Sequence, residues 1–295
     1  RFLEDGKIIA IKGLGGFHLA CDASNPDAVQ VLRERKKRSD RPFALMSFDL
    51  DTVLKYCDVD DAEASLLQSP QRPIVLLTKK SNCSIPEIVA PTQHQLGFML
   101  PYTPLHYLLL EPDSGYPDVL VMTSGNLSDE PIAYEDDDAF NRLGSIADGF
   151  LVHNRPIHMR VDDSVLRITD GKRYPIRRSR GFAPDPVILG QEVPEILACG
   201  AELKNTFCLS RSNYAFLSHH IGDLENAETL QSFEEGISHY ERLFRIKPQQ
   251  IVADLHPDYL STKYALDRVS KETLPLLQVQ HHHAVAGAHH TPGCR

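Results

Sequence analysis

The stretch DVLVMTSGN, residues 118–126, does most to set the fold class of this chain. Val119–Met122 are all apolar, which predicts a strand buried inside a sheet. The run stops at Ser124-Gly125-Asn126, and all three residues favour turns. Short polar side chains beside a flexible glycine at a strand end also let backbone and side-chain donors approach a ligand. An ordinary turn is the alternative interpretation of these three residues.

Strands and helices alternate on both sides of this segment. Further strands are predicted at residues 7–12, 42–46, 72–77 and 149–153, with a hairpin at 164–168 and 173–178. Helices are predicted at residues 25–38, 60–68, 105–110 and 136–143, the third of them buried. This order predicts an α/β domain with a mixed sheet.

A second pattern follows a proline-containing stretch, and we place a domain boundary near residues 188–194. The predicted domains are residues 1–190 and 191–295. In the second, strands are predicted at 196–199, 206–210 and 214–217, followed by a helix at 228–244, a strand at 250–255, a helix at 259–271 and a strand at 274–279. This is the order that begins a ribonuclease-H-like lobe of the actin/Hsp70 superfamily, so we expect a partial lobe.

Composition and charge narrow the function classes. The formal net charge of −9 over 295 residues argues against a large nucleic-acid partner, because phosphate contacts need a basic excess. The six cysteines form no CxxC pair and are expected to be reduced thiols in a cytoplasmic protein. No apolar run has the length of a membrane span. The chain begins with Arg, so we expect that sequence is missing upstream.

Two groups of cations stand out as candidate anion sites. Lys36-Lys37-Arg38 closes a predicted helix, where arginine can bind two phosphate oxygens at once. A solvated helix end is the alternative, since the helix dipole favours cations there. The second group interleaves Arg155, Arg160 and Arg177–Arg180 with Asp162-Asp163, which could hold ribose or Mg²⁺. A surface ion-pair network is the alternative for this group.

Nine motifs, taken in order along the chain, strongly resemble one family. In residues 1–190 they are KGLGGFHLACDA (12–23), RKKRSDRPFALM (35–46), TSGNLSDEPI (123–132), HNRPIHMRVDDSV (153–165) and RRSRGFAP (177–184). Beyond residue 190 they are ACGAELKNTFCLS (198–210), HHIGDLEN (219–226), DLHPDYLST (254–262) and VQHHHA (279–284). The first group is similar to the YrdC-like domain of HypF-type hydrogenase-maturation carbamoyltransferases. The second group is similar to the start of the carbamoyl-transfer domain that follows it.

The resemblance implies an ATP-dependent enzyme. Such proteins use carbamoyl phosphate and ATP to form carbamoyl-adenylate, and pass the carbamoyl group to the C-terminal Cys of a HypE-type acceptor protein. The group becomes a cyanide ligand of a [NiFe] hydrogenase. The family's K-x-R … S-x-N signature is occupied here by Lys36, Arg38, Ser124 and Asn126. These four are the predicted catalytic and nucleotide-binding residues. Arg155, Arg178 and Arg180 are further predicted nucleotide contacts.

The physical roles of these residues follow from the charges involved. Lys36 and Arg38 are expected to hold the oxygens of a carbamoyl group or phosphate, and Ser124 and Asn126 to bind triphosphate or carbamoyl groups. Mg²⁺ is expected on the leaving pyrophosphate, with catalysis by positioning and charge stabilisation.

This chain also departs from the family. The family's acylphosphatase domain and zinc-finger motifs are not in the sequence, so carbamate is expected to come from elsewhere. The family reads QHHHAH, and the first and last His of that motif bind a metal (zinc or iron). Here His281 occupies the first of these two positions, but Val285 occupies the second. We therefore expect an incomplete metal site, no metal bound there and no transfer activity. We expect no metal at His289 and His290, where binding would in any case be adventitious.

Two other functions remain open. A threonylcarbamoyl-adenylate synthase for tRNA modification shares the YrdC-like fold but would use threonine and bicarbonate. A module that binds double-stranded RNA without catalysis would use the Lys and Arg clusters on a phosphate backbone, although the net charge leads us to expect no nucleic acid and no membrane partner.

Overall fold

The computed structural model describes residues 1–127 and 130–283 and divides the chain into two compact units, Arg1–Gly181 and Phe182–Arg295. The predicted boundary near residues 188–194 falls instead inside a long strand, Val187–Ala198. The prolines of this stretch therefore do not form a linker.

A mixed sheet forms the centre of the first unit, as the sequence predicts. Its strands, in chain order, are β1 (Ile9–Lys12), β2 (Phe17–Asp22), β3 (Ala44–Ser47), β4 (Cys57–Asp58), β5 (Ile74–Lys79), β6 (Gln95–Met99), β7 (Val119–Ser124), β8 (Gly149–Leu151), β9 (Val165–Thr169) and β10 (Lys172–Arg177). Among the described residues their order across the sheet is β10-β9-β5-β6-β3-β7-β2-β1-β8, with β4 paired to β5. The strand predicted from DVLVMT lies at the centre, between β3 and β2.

Short helices connect these strands, and most begin at a polar cap. They are α1 (Pro26–Arg35), α2 (Leu50–Tyr56), α3 (Asp61–Gln68), α4 (Pro104–Leu110) and α5 (Asp136–Leu143). The Asn25 side chain accepts hydrogen bonds from two amides of the first turn of α1, and Asp60 and Glu63 form a capping box on α3. These caps explain why the predicted starting points of both helices are correct to within one residue.

Two elements of this unit were not predicted, and one prediction is wrong. Residues 17–22 form β2, a strand without a counterpart among the sequence predictions. Helix α2 was not predicted. Helix α4 was expected to be buried, yet Leu108 is 73% exposed, because only one side of the helix packs on the sheet.

The second unit contains a four-stranded sheet in the described residues. Its strands are β11 (Val187–Ala198), β12 (Cys208–Leu217), β13 (Gln250–Asp254) and β14 (Leu276–Val279), in the order β12-β11-β13-β14, and its helices are α6 (Ala227–Phe244) and α7 (Leu260–Glu272). Where we predicted three short strands there are two long antiparallel ones. The polar residues 211–213 suggested a turn between two strands, but they are part of β12. Ser212, whose backbone is left-handed, lies where the register between β11 and β12 shifts.

Each unit has a buried apolar cluster of its own. In the first, residues such as Met46, Met99 and Met122 lie on one face of the sheet beneath α4. In the second, Phe207, Phe233 and Tyr240 stack edge to face between α6 and the sheet. No helix within the described ranges is long and apolar enough to cross a membrane.

Candidate active site in the first unit

The turn after β7 is held in place by a backbone contact that requires glycine. The Gly125 amide donates to the Phe17 carbonyl over 2.7 Å. A Cβ on Gly125 would lie 2.6 Å from that same oxygen, so no other residue fits without moving the chain. Ser124 pairs with His18 in the sheet. These contacts hold Ser124 and Asn126 at one end of the central strands.

Lys36 reaches this turn from the end of α1. The Lys36 side chain is 1% exposed, and Nζ donates to three oxygens at 2.6 Å each: Ser124 O, Asn126 O and Asn126 Oδ1. The Ser124 hydroxyl also donates to Asn126 Oδ1 over 2.7 Å. The structure thus brings together three of the four signature residues, although about ninety residues separate them along the chain.

The electrostatics of Lys36 combine opposing effects. Burial and the nearby charge of Arg38 lower the pKa of Lys36 to about 7. The three acceptors fit the protonated ammonium, which has three N–H donors. An anion bound nearby would favour that charged form. The Lys36 ammonium therefore holds the turn in this structure, and its predicted contact with phosphate or carbamoyl oxygens stays a prediction.

The K-x-R spacing follows from how α1 ends. Lys37 is left-handed with φ of 53°, and the amides of Lys37 and Arg38 donate to Glu34 and Arg33 carbonyls over 3.0 Å. This is a Schellman motif, which turns the chain sharply after the helix. The motif explains how Lys36 and Arg38, two positions apart, can have such different surroundings.

Arg38 lines a cavity of about 190 Å³ beside the turn. Other polar residues on its wall are His18, Thr123, Ser124, Asp162, Asp163 and Arg177. The Arg38 guanidinium is oriented by hydrogen bonds to Arg41 O at 3.0 Å and Pro42 O at 2.7 Å. Burial and the neighbouring charges of Arg41, Arg33 and Arg177 lower the pKa of Arg38 to about 10, which leaves it charged at neutral pH. Clustered cations of this kind favour an anionic ligand.

Arg33 supports the loop that carries Arg38. Its buried guanidinium donates to the carbonyls of Arg38, Ser39 and Arg41 at 3.1, 2.7 and 3.2 Å, and also to Ile88 O at 2.6 Å. This role of Arg33 was not predicted, because its contact with Ile88 is long-range.

The opposite wall is built on a buried carboxylate, Asp163. Asp163 accepts from Arg180 Nε at 2.7 Å and lies 2.9 Å from His18 Nε2. Burial alone would raise the pKa of Asp163, but Arg180 and His18 outweigh it and hold that pKa well below its ordinary range. Next to it, Asp162 forms a longer ion pair of 3.6 Å with Arg177.

The three secondary candidates are placed differently from one another. Arg180 is occupied internally: its guanidinium lies 3.4 Å from the ring centre of Tyr102 and donates to Gln71 O and Arg72 O as well as to Asp163. Arg178 is half-buried and does not line the Arg38 cavity. Arg155 lines a second, larger cavity. Arg177, Asp162 and Asp163, which belong to the second candidate group of the sequence, line the Arg38 cavity. His18 lines it too and was not predicted; its motif, KGLGGFHLACDA, was the available signal.

In the second unit, the predicted metal ligand His281 lies beside a carboxylate. Its Nδ1 is 3.1 Å from Asp254 Oδ2. Over residues 1–127 and 130–283, no three His, Cys, Asp or Glu side chains are grouped to hold a metal ion. Val285, His289 and His290 lie outside the described residues.

Comparisons with known proteins match both units. Residues 1–179 match the Sua5/YciO/YrdC family, described as telomere recombination, and residues 191–290 match the HypF Kae1-like domain. The chain is 47% identical to carbamoyltransferase HypF2 of Cupriavidus necator and 48% identical to carbamoyltransferase HypF of Synechocystis, over 96% of its length in both cases. It spans only 37% and 36% of those proteins.

Solved structures agree with these matches. A full-length HypF crystallised with phosphate and nucleotide is 49% identical over 96% of this chain and 44% of its own, with a TM-score of 0.89. HypF of T. kodakarensis is 44% identical over 96% of this chain and 37% of its own, with a TM-score of 0.92. The predicted pairing of a YrdC-like domain with the beginning of an actin/Hsp70-like lobe is thereby confirmed.

Proposed function

Because the chain belongs to the HypF family, which joins a YrdC-like domain to a Kae1-like domain, we propose that its first unit activates a carbamoyl group with ATP. The product is carbamoyl-adenylate. In the whole protein the carbamoyl group would then pass to the C-terminal Cys of a HypE-type acceptor, on the route to a hydrogenase cyanide ligand. The original source of that group would be carbamoyl phosphate.

One observation carries this proposal. The Lys36 ammonium fastens the Ser124–Asn126 turn, and Ser124 shares a cavity with the Arg38 and Arg177 guanidiniums. ATP and carbamate are both anions, and bringing them together costs electrostatic free energy unless cations neutralise them. A cavity with two guanidiniums on its wall offers that neutralisation.

The chemical step needs no nucleophilic side chain. A carbamate oxygen attacks the α-phosphorus of ATP, the bond from that phosphorus to the bridging oxygen of the β-phosphate breaks, and pyrophosphate leaves with the electron pair. Arg38 and Arg177 stabilise the charge that develops on the phosphate oxygens, and the Ser124 hydroxyl orients the bound anion. Lys36 and Asn126 are positioning residues in this scheme.

Asp162 is the residue that would hold Mg²⁺. Protein sites for this ion commonly supply one or two carboxylates, with substrate phosphates and water completing the shell. Asp162 fits because its only described ion pair, with Arg177, is long at 3.6 Å. When bound, Mg²⁺ would neutralise charge on the leaving pyrophosphate.

The second unit supports no such proposal for a metal of the transfer step. His281 and Asp254 supply two possible ligands in the described residues, whereas zinc in proteins takes three or four. The absence of transfer activity stays a prediction.

Exchange of radiolabelled pyrophosphate into ATP tests the adenylation directly. We expect exchange that depends on carbamate, supplied as such or from carbamoyl phosphate, and a loss of about 10²–10³-fold in Arg38→Gln, as when a charge-stabilising donor is removed. Arg173→Gln, an exposed arginine of β10, is the matched control and should leave the exchange unchanged.

The same assay discriminates the two rival functions. Exchange that requires threonine and bicarbonate would indicate a threonylcarbamoyl-adenylate synthase instead. Absence of exchange, together with double-stranded RNA binding that falls steeply with salt, would indicate an RNA-binding module.

A further inference from the structure

A second cavity, of about 490 Å³, lies in the first unit, away from the Arg38 site. Three chain segments line it: the end of β1 with the turn after it, the first turn of α4, and the loop after β8. The lining residues are Lys12, Gly13, Leu14, Thr103–Leu105, His153 and Arg155–Met159. The volume is within the roughly 300–1,000 Å³ range of pockets that bind small molecules.

This cavity is distinct from the proposed adenylation site. The two share no lining residue. They are nevertheless neighbours, because Gly13 lines one and His18 lines the other, and a Cβ on Gly13 would lie 3.0 Å from His18 Nδ1. The His18 side chain, which contacts Asp163 on the wall of the Arg38 cavity, therefore lies close to Gly13 on the wall of the second cavity.

The polar groups of the second cavity have unused hydrogen-bonding capacity. The guanidinium of Arg155 makes no hydrogen bond or ion pair within residues 1–127 and 130–283. Lys12 is 3% exposed, and its Nζ has two partners in the same ranges, Asp136 Oδ1 at 2.7 Å and His153 O at 3.2 Å. An ammonium has three N–H donors, so one is left. His153 Nδ1 is buried and has no partner among the described atoms.

Charge and apolar surface point to one class of ligand. The charge of Lys12 is balanced by Asp136, whereas that of Arg155 is not, so the cavity carries an excess positive charge. Much of the remaining lining is aliphatic, contributed by Leu14, Leu105, Ile157 and Met159. A small cavity that is largely apolar and has a few convergent polar groups is typical of a small-molecule site.

We propose that this cavity binds an organic anion, a small molecule with a carboxylate, phosphate or sulfonate head on an apolar body. The head pairs with Arg155 and accepts from Lys12. The body packs against the aliphatic side chains. Neither interaction uses Lys36 or Arg38, so this site is separate from the adenylation proposed above. Arg155, which the sequence predicted as a nucleotide contact, is assigned here to the organic anion instead.

The fluorescent anion 8-anilinonaphthalene-1-sulfonate tests this, since it combines a sulfonate with an apolar body. We expect one saturable site. Arg155→Gln should weaken binding about tenfold or more, as for the loss of a charged hydrogen bond. Met159→Trp should fill the cavity and abolish the site, and Ile157→Trp serves the same purpose if the first variant fails to fold.

Two controls make the result decisive. Arg173→Gln removes an arginine from β10, at the opposite end of the sheet from β1, and should bind like the parent chain. Tripolyphosphate, a probe for the Arg38 site, should not displace the dye. If Arg155→Gln and Arg173→Gln bound the dye with equal affinity, or if tripolyphosphate displaced the dye, the proposed second site would be wrong and the dye an adventitious additive only. Both outcomes are independent of the result of the pyrophosphate-exchange assay.

Discussion

At the scale of single residues, the candidate site depends on how buried charges are satisfied. The K-x-R and S-x-N motifs allowed Lys36, Arg38, Ser124 and Asn126 to be selected from the sequence. The sequence could not show that the Lys36 ammonium is bound by three protein oxygens, because each partner lies about ninety residues away. Arg180 shows the same limit, since its carboxylate and carbonyl partners come from two other chain segments.

Lys36 should take up a proton when an anion binds. The pKa of Lys36 is about 7 in the free protein, so above pH 7 the side chain is increasingly neutral. A nearby polyphosphate raises that pKa and draws a proton from solvent. Titration calorimetry with tripolyphosphate at pH 8, in two buffers of different ionisation enthalpy, measures the uptake.

The matched control for this uptake is Lys36→Arg, whose guanidinium does not titrate in this range. At pH 8 this variant should take up fewer protons than the parent chain when tripolyphosphate binds. At pH 6, where both side chains are charged, the proton uptake of the two proteins should be equal. If the two proteins took up the same number of protons at pH 8 as well, the role given to Lys36 would be contradicted.

Replacing Asp163 with Ala should be strongly destabilising. It leaves the Arg180 charge buried without its partner, a loss that typically costs about 3–5 kcal/mol of unfolding free energy. Urea unfolding at pH 7 measures this. Asp5→Ala, at an exposed turn near the start of the chain, is the control and should change stability little.

The contribution of Asp163 should also depend on pH. Its folded pKa is held below the unfolded value of about 3.9, so its stabilisation is complete above that value and is lost as pH falls below it. The stability difference between the parent chain and Asp163→Ala should therefore be constant from pH 5 to 7 and shrink below about pH 4. A constant difference down to pH 2 would contradict this.

At the scale of elements, cap residues and apolar periodicity gave most helices and strands to within a few residues. The errors lie where a local signal was overridden by packing. Residues 17–22 follow glycines but are buried between β1 and β7 as a strand. Arg211–Asn213 are polar enough to predict a turn, yet pairing with β11 continues through a shift in register. Cross-strand partners decide both cases, and single-sequence patterns do not contain them.

Asn226 should be a measurable part of the stability of α6. Its Oδ1 accepts from the Thr229 amide and hydroxyl, both at 2.8 Å. Asn226→Ala should cost about 1 kcal/mol of unfolding free energy, as for typical N-cap losses. Chemical denaturation of that variant beside Glu234→Ala, an exposed position in the middle of the same helix, checks the effect. Equal stability of the two variants would show that the cap contributes nothing.

At the scale of the whole molecule, the two units have separate apolar cores. The sequence predicted two domains, residues 1–190 and 191–295. The predicted boundary and the observed division differ by about nine residues. Prolines suggested a linker, but residues 187–195 belong to β11, which pairs there only with β12 because β13 joins it from Ile196 onward. A strand with one open side tolerates proline.

A core substitution in the second unit should leave anion binding in the first unit intact. Phe207→Ala removes a fully buried ring that packs on Phe233 and Tyr240, and such losses cost about 3–5 kcal/mol. We expect a lower midpoint for the second unit in a denaturation curve and unchanged affinity for tripolyphosphate below that midpoint. If the affinity for tripolyphosphate fell as the second unit unfolded, the anion site would not be confined to the first unit.

We propose that one cavity, walled by Arg38, Arg177 and Ser124, holds the reacting anions. A crystal structure of the chain soaked with a non-hydrolysable ATP analogue tests this proposal. We expect the phosphates in that cavity, within hydrogen-bonding distance of both guanidiniums, with Lys36 still bound to the turn. Phosphates bound elsewhere, with this cavity empty, would contradict it.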